Sequence, residues 1–234
     1  MLDVYHVIYK AMPRSAVILQ KPLSLAVQAY EAIKARILSL ELRPGQFVNE
    51  QSLCRALDMG RMPVHQAVHR LQAEGLLEIM PRKGIVIRHN SLNEIFALLE
   101  ARSAVEPNIA ALAAERATRA QARDMERLLR QSKRYVDQRF RREFMAIDRM
   151  FHHAVAEAAA NPILVDAQRP LHERSALIWD LIVMRQPDGL QLTQDEHQAV
   201  LDGILRRDPE AARLAMQAHL ESLLRRIKEG AENR

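Results

Sequence analysis

The hydrophobic and polar positions of the first 90 residues predict three helices followed by two strands. Apolar residues recur every three or four positions over Leu25–Leu40, Asn49–Leu57 and Pro63–Gly75. Asn49 stands where an N-cap is expected, and Pro63 is tolerated in a first turn because its missing N–H would have no partner there. The break at residues 58–60 separates two short helices, which is the layout of a helix-turn-helix, although an ordinary helical hairpin has the same periodicity.

Two short apolar stretches after these helices predict a β-hairpin. They are Leu76–Met80 and Ile85–Ile87, and a basic turn, Pro81-Arg82-Lys83-Gly84, joins them. A basic hairpin tip is commonly only solvated. Beside a helix-turn-helix, however, it forms a wing that is suited to a phosphate or minor-groove contact.

The chain from Ser91 onward shows no strand pattern and predicts six helices. Ser91 and Glu94 resemble a capping box at the start of the first helix. The predicted helices are Leu92–Arg116, Arg119–Gln138, Phe140–Ala160, Pro162–Arg185, Thr193–Arg206 and Pro209–Glu229. The fold class is therefore mainly α: an N-terminal winged helix-turn-helix of three helices and a small β-hairpin wing, followed by an all-α antiparallel helical bundle.

Composition supports the helical prediction, and the distribution of charge distinguishes the two predicted domains. Aromatic residues make up only 4% of the chain, which favours helix over sheet. The net charge of +5 lies entirely in residues 1–90, where 12 Lys and Arg stand against 7 Asp and Glu, while residues 91–234 hold 22 of each. The excess positive charge coincides with the helix-turn-helix, as binding to DNA phosphates requires.

The same sequence indicates a cytoplasmic protein. A single cysteine, Cys54, excludes an internal disulfide and suits a reducing compartment. No apolar run approaches the ~18 residues that a membrane span needs, and Pro13-Arg14 interrupts any candidate signal peptide.

Four polar residues of the predicted bundle occupy helix faces that are otherwise apolar. Asp148 and His152 lie one turn apart on the face of Phe151, and His197 and His219 lie on the apolar faces of the last two helices. A single inward histidine is more often an ordinary core residue. Three of them with an aspartate are costly to bury unless something satisfies them together, and a divalent metal ion would do so.

Arg102 lies in the middle of the apolar stripe of the first bundle helix. One interpretation is an internal salt bridge with Glu106, one turn further along the helix. The other is a guanidinium group that faces an anionic ligand inside the bundle.

A signature spans the turn and the second helix of the helix-turn-helix. It reads Gly60-Arg61-Met62-Pro63-Val64-His65-Gln66-Ala67, followed by Leu71 and Glu74-Gly75-Leu76. This segment resembles the signature of the GntR family of bacterial transcription regulators, Ser-Arg-Thr-Pro-Val-Arg-Glu-Ala with a later Leu and Glu-Gly-Leu. The chain departs from it at Gly60, His65 and Gln66, which leaves the operator sequence open. The residues expected to contact DNA are Arg61, Met62, Pro63, His65, Gln66, His69, Arg70, Arg82, Lys83 and Gly84.

The polar residues of the bundle carry a second resemblance. Asp148-x-x-Phe151-His152 with Asn161-Pro162, then Glu196-His197, then His219-Leu220, is similar to the FCD domain of the FadR subgroup of that family. The resemblance implies one divalent ion per subunit, zinc or alternatively nickel or manganese, held by Asp148, His152, His197 and His219. It also implies a homodimer and a small carboxylate effector that completes the coordination of the metal, with Arg102 near it. His153 and His172 lie off the matched positions and are not expected to be ligands.

Together these patterns predict an N-terminal arm without an assigned role (residues 1–21), a DNA-binding domain (22–90) and an FCD-like effector domain (91–230). The predicted function is a DNA-binding transcription regulator that recognises a near-palindromic double-stranded operator, with no membrane partner. A metal-responsive regulator without an organic effector is one alternative. A metal-dependent enzyme joined to a DNA-binding module is another, but the bundle lacks the paired Glu-x-x-His motifs of di-metal sites and any recognisable nucleophile–base pair.

Overall fold

The computed structural model describes residues 24–179 and 188–232, apart from the side chains of Gln138 and of residues 176–179 and 231–232. The predicted arm, residues 1–21, and the last part of the predicted helix Pro162–Arg185 lie outside this range. The elements in chain order are α1 Leu25–Leu38, β1 Phe47–Val48, α2 Glu50–Leu57, α3 Arg61–Ala73, β2 Leu77–Met80, β3 Gly84–Ile87, α4 Leu92–Arg116, α5 Arg119–Ser132, α6 Arg141–Ala158, α7 Pro162–Trp179, α8 Gly189–Leu205 and α9 Pro209–Glu232. Single 3₁₀ turns at Lys133–Tyr135 and Gln138–Phe140 connect α5 to α6.

Helices α1 to α3 surround one apolar core, as the helix-turn-helix pattern predicts. The Asn49 side chain accepts a 2.7 Å hydrogen bond from the backbone N–H of Ser52, which caps the start of α2. Asp58 ends α2 in the left-handed region, with φ of 50°. Helix α3 begins at Arg61, two residues before the predicted start, so Pro63 still lies within the first turn. The apolar periodicity of this helix predicts that Ala67, Val68, Leu71 and Ala73 are buried; the first three are, whereas Ala73 is exposed at the last residue of the helix.

The wing contains one strand more than the sequence predicts. The predicted hairpin is present as β2 and β3, and β1 pairs with β3 on its other side, so the antiparallel order is β1-β3-β2. A strand of two residues is too short to show an alternating pattern. Gly84 has φ of +103°, and a Cβ atom there would lie 2.9 Å from the backbone oxygen of Val48. Glycine is therefore required where β3 meets β1.

Helices α4 to α9 form the predicted all-helical bundle. The long helix α4 packs against α6, α7, α8 and α9 and contributes buried residues such as Ile109 and Ala110 to its core. Helix α5 ends at Ser132, six residues before its predicted end, and α8 begins at Gly189, four residues before its predicted start. The mainly helical fold class is confirmed. None of the helices within the described ranges is long and apolar enough to cross a membrane.

Helices α8 and α9 form a tight antiparallel hairpin. A Cβ atom on Gly203 would lie 2.6 Å from the backbone nitrogen of Ala212, so the two helices approach through their backbones. Arg207 in the turn has φ of 56° and donates hydrogen bonds to the carbonyl oxygens of Glu115 and Ala117 at the end of α4. These contacts satisfy carbonyl groups that a helix end leaves without a partner, and they fix the hairpin against α4.

Candidate metal centre and nucleic-acid interface

Imidazole and carboxylate groups from four helices meet inside the bundle. Two overlapping groups of three residues each place their ligand atoms within 4.8 Å of one another. One group is His152, His197 and His219, and the other is Asp148, His152 and His172. Each of these residues is at most 4% exposed. We call these five residues the histidine cluster.

The distances within the histidine cluster show that the side chains point at one another. The Nε2 atoms of His152 and His197 are 3.2 Å apart. Oδ1 of Asp148 lies 3.5 Å from Nε2 of His197, and its Oδ2 lies 3.6 Å from Nε2 of His172. The structure therefore brings all four predicted ligands together and adds His172 to them.

Two carboxylates outside the cluster orient two of its imidazoles. Nδ1 of His152 lies 3.0 Å from Oε2 of Glu106, and Nδ1 of His219 lies 2.8 Å from Oε2 of Glu196. When Nδ1–H donates to a carboxylate, Nε2 keeps its lone pair and is directed towards the cluster. Carboxylate–histidine pairs of this kind surround many metal sites and fix the tautomer of the ligand.

Arg102 forms the internal salt bridge that was one of its two interpretations. Its Nε and Nη2 atoms donate to the two oxygens of Glu106 at 2.6 and 3.1 Å, and its side chain is completely buried. Burial alone would raise the pKa of Glu106, but Arg102 and His152 together hold it well below the usual range. The remaining Nη1 atom of Arg102 has no hydrogen-bond partner within the part of the chain that the structure describes.

The protonation of the cluster suits a cation. Burial holds the pKa values of His172 and His197 well below 6.5, and it lowers the pKa of His219 despite the neighbouring Glu196. Both oxygens of Asp148 and the Nε2 atoms of His172 and His219 lack hydrogen-bond partners among the described residues. A buried carboxylate beside neutral imidazoles is costly unless a cation pairs with it. The donor set, one carboxylate and several imidazoles, fits zinc, nickel or manganese.

The residues expected to contact DNA lie along α3 and at the wing tip. The side chain of Arg61 is 85% exposed, and Met62, Gln66, His69, Arg82 and Lys83 are also exposed. The carboxylate of Glu50 lies 2.8 Å from Nδ1 of His65 and 3.6 Å from Nε of Arg61. Glu50 therefore pairs with two of the side chains that are predicted to contact DNA, Arg61 and His65.

Three of these predicted residues also have structural roles. The guanidinium of Arg70 lies 3.6 Å from the ring centre of Tyr30, and its Nε binds Glu74 at 3.3 Å, so it faces α1. Pro63 is half-buried in the first turn of α3, and Gly84 allows the close approach of β1.

Comparison with known families agrees with this geometry. Residues 25–87 match the description "Bacterial regulatory proteins, gntR family", and residues 97–222 match the FCD domain. The chain belongs to the GntR family and carries an FCD domain. It is therefore a DNA-binding transcription regulator.

Relatives of this GntR protein span most of both chains. The chain is 28% identical over 232 residues to the "Uxu operon transcriptional regulator" of Escherichia coli K12, covering 89% of this chain and 90% of that one. It is 27% identical over 199 residues to the "Galactonate operon transcriptional repressor" of the same organism, covering 77% and 86%.

Two solved structures share the fold at lower identity. The E. coli protein McbR/YncC superposes with a TM-score of 0.79 at 19% identity, covering 88% of this chain and 98% of that one. A putative GntR regulator from Rhodococcus sp. RHA1 superposes with a TM-score of 0.74 at 18% identity, with the same coverage. At these identities the likeness shows the fold alone.

The sequence does not identify three residues of this site: His172 within the cluster, and Glu106 and Glu196 beside it. His172, like His153, lies off the positions that match the FCD domain. Val165, Gln168, His172 and Ser175 nevertheless form a buried face at helical spacing, and that spacing could have identified His172. His153 is half-exposed beside Glu157. Glu106 and Glu196 became visible as partners of the histidines only in the folded structure.

Proposed function

We propose that this GntR protein is a cytoplasmic repressor that binds a near-palindromic operator as a homodimer and releases it when a small carboxylate binds at a metal ion in the FCD domain. Asp148, His152, His197 and His219 hold the divalent ion in this proposal. The ion supplies a positive charge and coordination positions that an anionic effector can fill.

The histidine cluster is the observation that carries the proposal. Its buried carboxylate lacks hydrogen-bond partners among the described residues, and burial lowers the pKa values of His172, His197 and His219. Two outer carboxylates, Glu106 and Glu196, direct Nε2 atoms of His152 and His219 towards the same space. A bundle core that served packing alone would gain nothing from this arrangement, because each buried polar group costs free energy.

Arg102 has two parts in this proposal. It balances the charge of Glu106 with two of its nitrogens, and its Nη1 atom remains available to one oxygen of the effector. The two interpretations of Arg102 are therefore compatible. Because Nη1 is the one guanidinium nitrogen without a partner among the described residues, it favours a contact through one nitrogen over the two-nitrogen clamp that a free guanidinium would offer.

Sugar acids are the proposed class of effector. One relative is named a repressor of the galactonate operon, and galactonate is a small hydroxycarboxylate. Such a molecule offers a carboxylate and a neighbouring hydroxyl to the metal ion and to Arg102. The remaining hydroxyl groups require polar partners, which the backbone and side chains of the bundle would have to provide.

The proposed DNA contacts follow from exposure and charge. Helix α3 enters the major groove with Arg61, Met62, His65, Gln66 and His69, and Arg82 and Lys83 of the wing reach the sugar-phosphate backbone or the minor groove. Two copies of α3 related by a two-fold axis would read the two halves of a near-palindromic site.

The test uses full-length protein and a duplex selected by that protein from a random library. Metal content is measured first, and DNA affinity is then measured with zinc, with a chelator, and with zinc plus galactonate or other sugar acids. We expect one bound ion per chain and an effector response of about 5- to 150-fold. The absence of DNA binding by the zinc-loaded protein at low salt would overturn the assignment of the N-terminal domain.

The second candidate is a metal sensor without an organic effector. The number of side chains in the histidine cluster is the observation that favours it. Five side chains, with His172 among them, could fill the coordination shell of one ion and leave no position for an acid. The same measurements separate the two candidates. A change in DNA affinity on chelation that no acid reproduces would select the metal sensor.

A further inference from the structure

Helix α7 contacts both halves of the molecule with three consecutive residues. His172 lies in the histidine cluster, 3.6 Å from Asp148. The next residue, Glu173, places Oε1 2.6 Å from Nζ of Lys34 on α1. The side chain of Arg174 packs on the turn after α3, where a Cβ atom on Gly75 would lie 3.3 Å from its Cδ.

Lys34 is an unusual lysine because it is only 7% exposed. Its ammonium group lies between two carboxylates, Glu173 of α7 and Glu74 at the end of α3, the second at 3.4 Å. It also binds the hydroxyl group of Tyr30, which donates to Glu74 at 2.8 Å. Lysine is seldom buried unless its charge is paired, and here the two carboxylates provide that pairing.

The network around Lys34 reaches the DNA-reading helix. Arg70 of α3 binds Glu74 through Nε at 3.3 Å and lies over the ring of Tyr30 at 3.6 Å. An unbroken series of contacts therefore runs from His172 along α7 to Glu173, then to Lys34, and from there to Glu74 and Arg70. The hydrogen bonds and ion pairs of such a network have a narrow range of allowed geometries, so they fix the relative placement of the groups that they join.

We propose that Lys34 and Glu173 are positioning residues that set the placement of α3 relative to the histidine cluster, so that occupancy of the cluster changes DNA affinity through their contact. The inference rests on the proposed binding site in the histidine cluster and names the path by which occupancy of that site reaches α3. A ligand in the cluster that moves His172 also moves Glu173, which is the next residue of α7. Lys34 must follow Glu173 or lose its closer carboxylate partner, and the end of α3 moves with Lys34 through Glu74.

The test compares the response to zinc in four full-length variants. Lys34→Met and Glu173→Gln remove one charge each with little change of size, and Lys34→Arg keeps the charge. Asp166→Asn is the matched control, because Asp166 forms an exposed ion pair with Arg169 on the same helix and none with α1 or α3. For each protein, the affinity for the selected duplex is measured with zinc and with a chelator, alongside zinc content and thermal unfolding.

The expected result is a wild-type affinity ratio of about fivefold or more that falls to about one in Lys34→Met and Glu173→Gln. Zinc content stays at the wild-type level in both, while Lys34→Arg and Asp166→Asn keep the wild-type ratio. Because Lys34→Met leaves two partly buried carboxylates without their cation, Glu173→Gln provides the test if Lys34→Met does not fold.

Two other outcomes overturn different statements. Wild-type ratios in folded, zinc-loaded Lys34→Met and Glu173→Gln would overturn the positioning role and leave the proposed function intact. A wild-type protein whose DNA affinity is the same with zinc and with chelator would overturn this inference, whereas a response of that zinc-loaded protein to a sugar acid would leave the proposed function intact.

Discussion

Glu106 joins Arg102 to His152: one carboxylate accepts two hydrogen bonds from the guanidinium and lies 3.0 Å from Nδ1 of the imidazole. All three side chains are buried. Glu106 thereby links Arg102 to the histidine cluster through His152. A substitution at any one of the three residues affects the other two.

Removal of Arg102 should destabilise the zinc-loaded protein because Glu106 would keep a buried negative charge without its main partner. Breaking a buried pair in this way typically costs about 3–5 kcal/mol of unfolding free energy. We expect a loss of this size for Arg102→Met in urea unfolding at pH 7.5. The double variant Arg102→Met/Glu106→Gln should recover part of it, and a single variant as stable as the wild type would show that the pair is dispensable.

The carboxylate behind His219 should tune metal affinity. Glu196 accepts the hydrogen bond from Nδ1 of His219, and the loss of such an outer partner typically costs 10- to 100-fold in metal affinity. Glu196→Gln should therefore weaken zinc binding by about this factor in a competition titration with a coloured chelator. Glu157→Gln, on the exposed side of α6 beside His153, is the control and should bind zinc as the wild type does.

Acid should destabilise the metal-free protein. The pKa values of His172, His197 and His219 are lowered in the folded state, so above about pH 6.5 neither state protonates these groups. As the pH falls below 6.5, the unfolded chain binds protons that the folded protein excludes. Stability is therefore full above 6.5 and is lost as the pH falls towards the folded pKa values, by up to about 1.4 kcal/mol per pH unit for each histidine.

Urea unfolding of chelator-treated protein between pH 7.5 and 5.5 measures this dependence. The variant His197→Asn removes one of the titrating groups and should lower the slope of unfolding free energy against pH. An identical slope in the two proteins would mean that His197 is protonated in the folded state as readily as in the unfolded one.

Arg61 should contribute to specific DNA recognition. Its side chain is 85% exposed at the start of α3, and a good arginine–guanine pair contributes about 1–3 kcal/mol of discrimination. Arg61→Ala should weaken binding to the selected duplex by this amount and leave binding to random DNA nearly unchanged. Arg119→Ala, an exposed arginine of the bundle, is the control. Equal losses on both DNAs would make Arg61 a phosphate contact.

Glu50 should limit DNA affinity because it places a negative charge between Arg61 and His65 on the surface expected to face phosphates. Exposed pairs contribute about 0.2–1 kcal/mol, so Glu50→Gln should raise affinity by up to about fivefold at low salt. Glu31→Gln on the exposed side of α1 serves as the control. A loss of affinity for the selected duplex alone would show instead that Glu50 orients His65 towards a base.

The existence and type of the helices could be predicted because each has an apolar face and a start signal that act within one or two turns. Their ends could not, since these depend on distant partners. Helix α5 was expected to continue to Gln138 but ends at Ser132, where Gln194 of α8 binds the Ser132 hydroxyl and the Leu129 carbonyl oxygen. That contact joins residues 62 or more positions apart, and local periodicity carries no trace of it.

The candidate metal centre also has one part that the sequence predicts and one part that depends on the packing of the helices. Asp148, His152, His197 and His219 stand out in sequence because a polar residue interrupts an apolar face, and the structure places all four in the histidine cluster. The pairing of Glu106 with His152 and of Glu196 with His219 crosses between helices that only the packed bundle brings together. The role of Asp148, His152, His197 and His219 as metal ligands stays a prediction.

The backbone contact between Gly203 and Ala212 has a consequence for the chemistry of the cluster. His197 lies less than two turns before Gly203, and His219 lies about two turns after Ala212, so the spacing of their imidazoles is inherited from the spacing of the two helices. The distance between these two imidazoles therefore depends on how closely α8 and α9 approach each other at Gly203. Replacement of either histidine would change the atoms available to bind a cation. A side chain at position 203 would instead move the two imidazoles apart, and so change the size of the cation that fits between them.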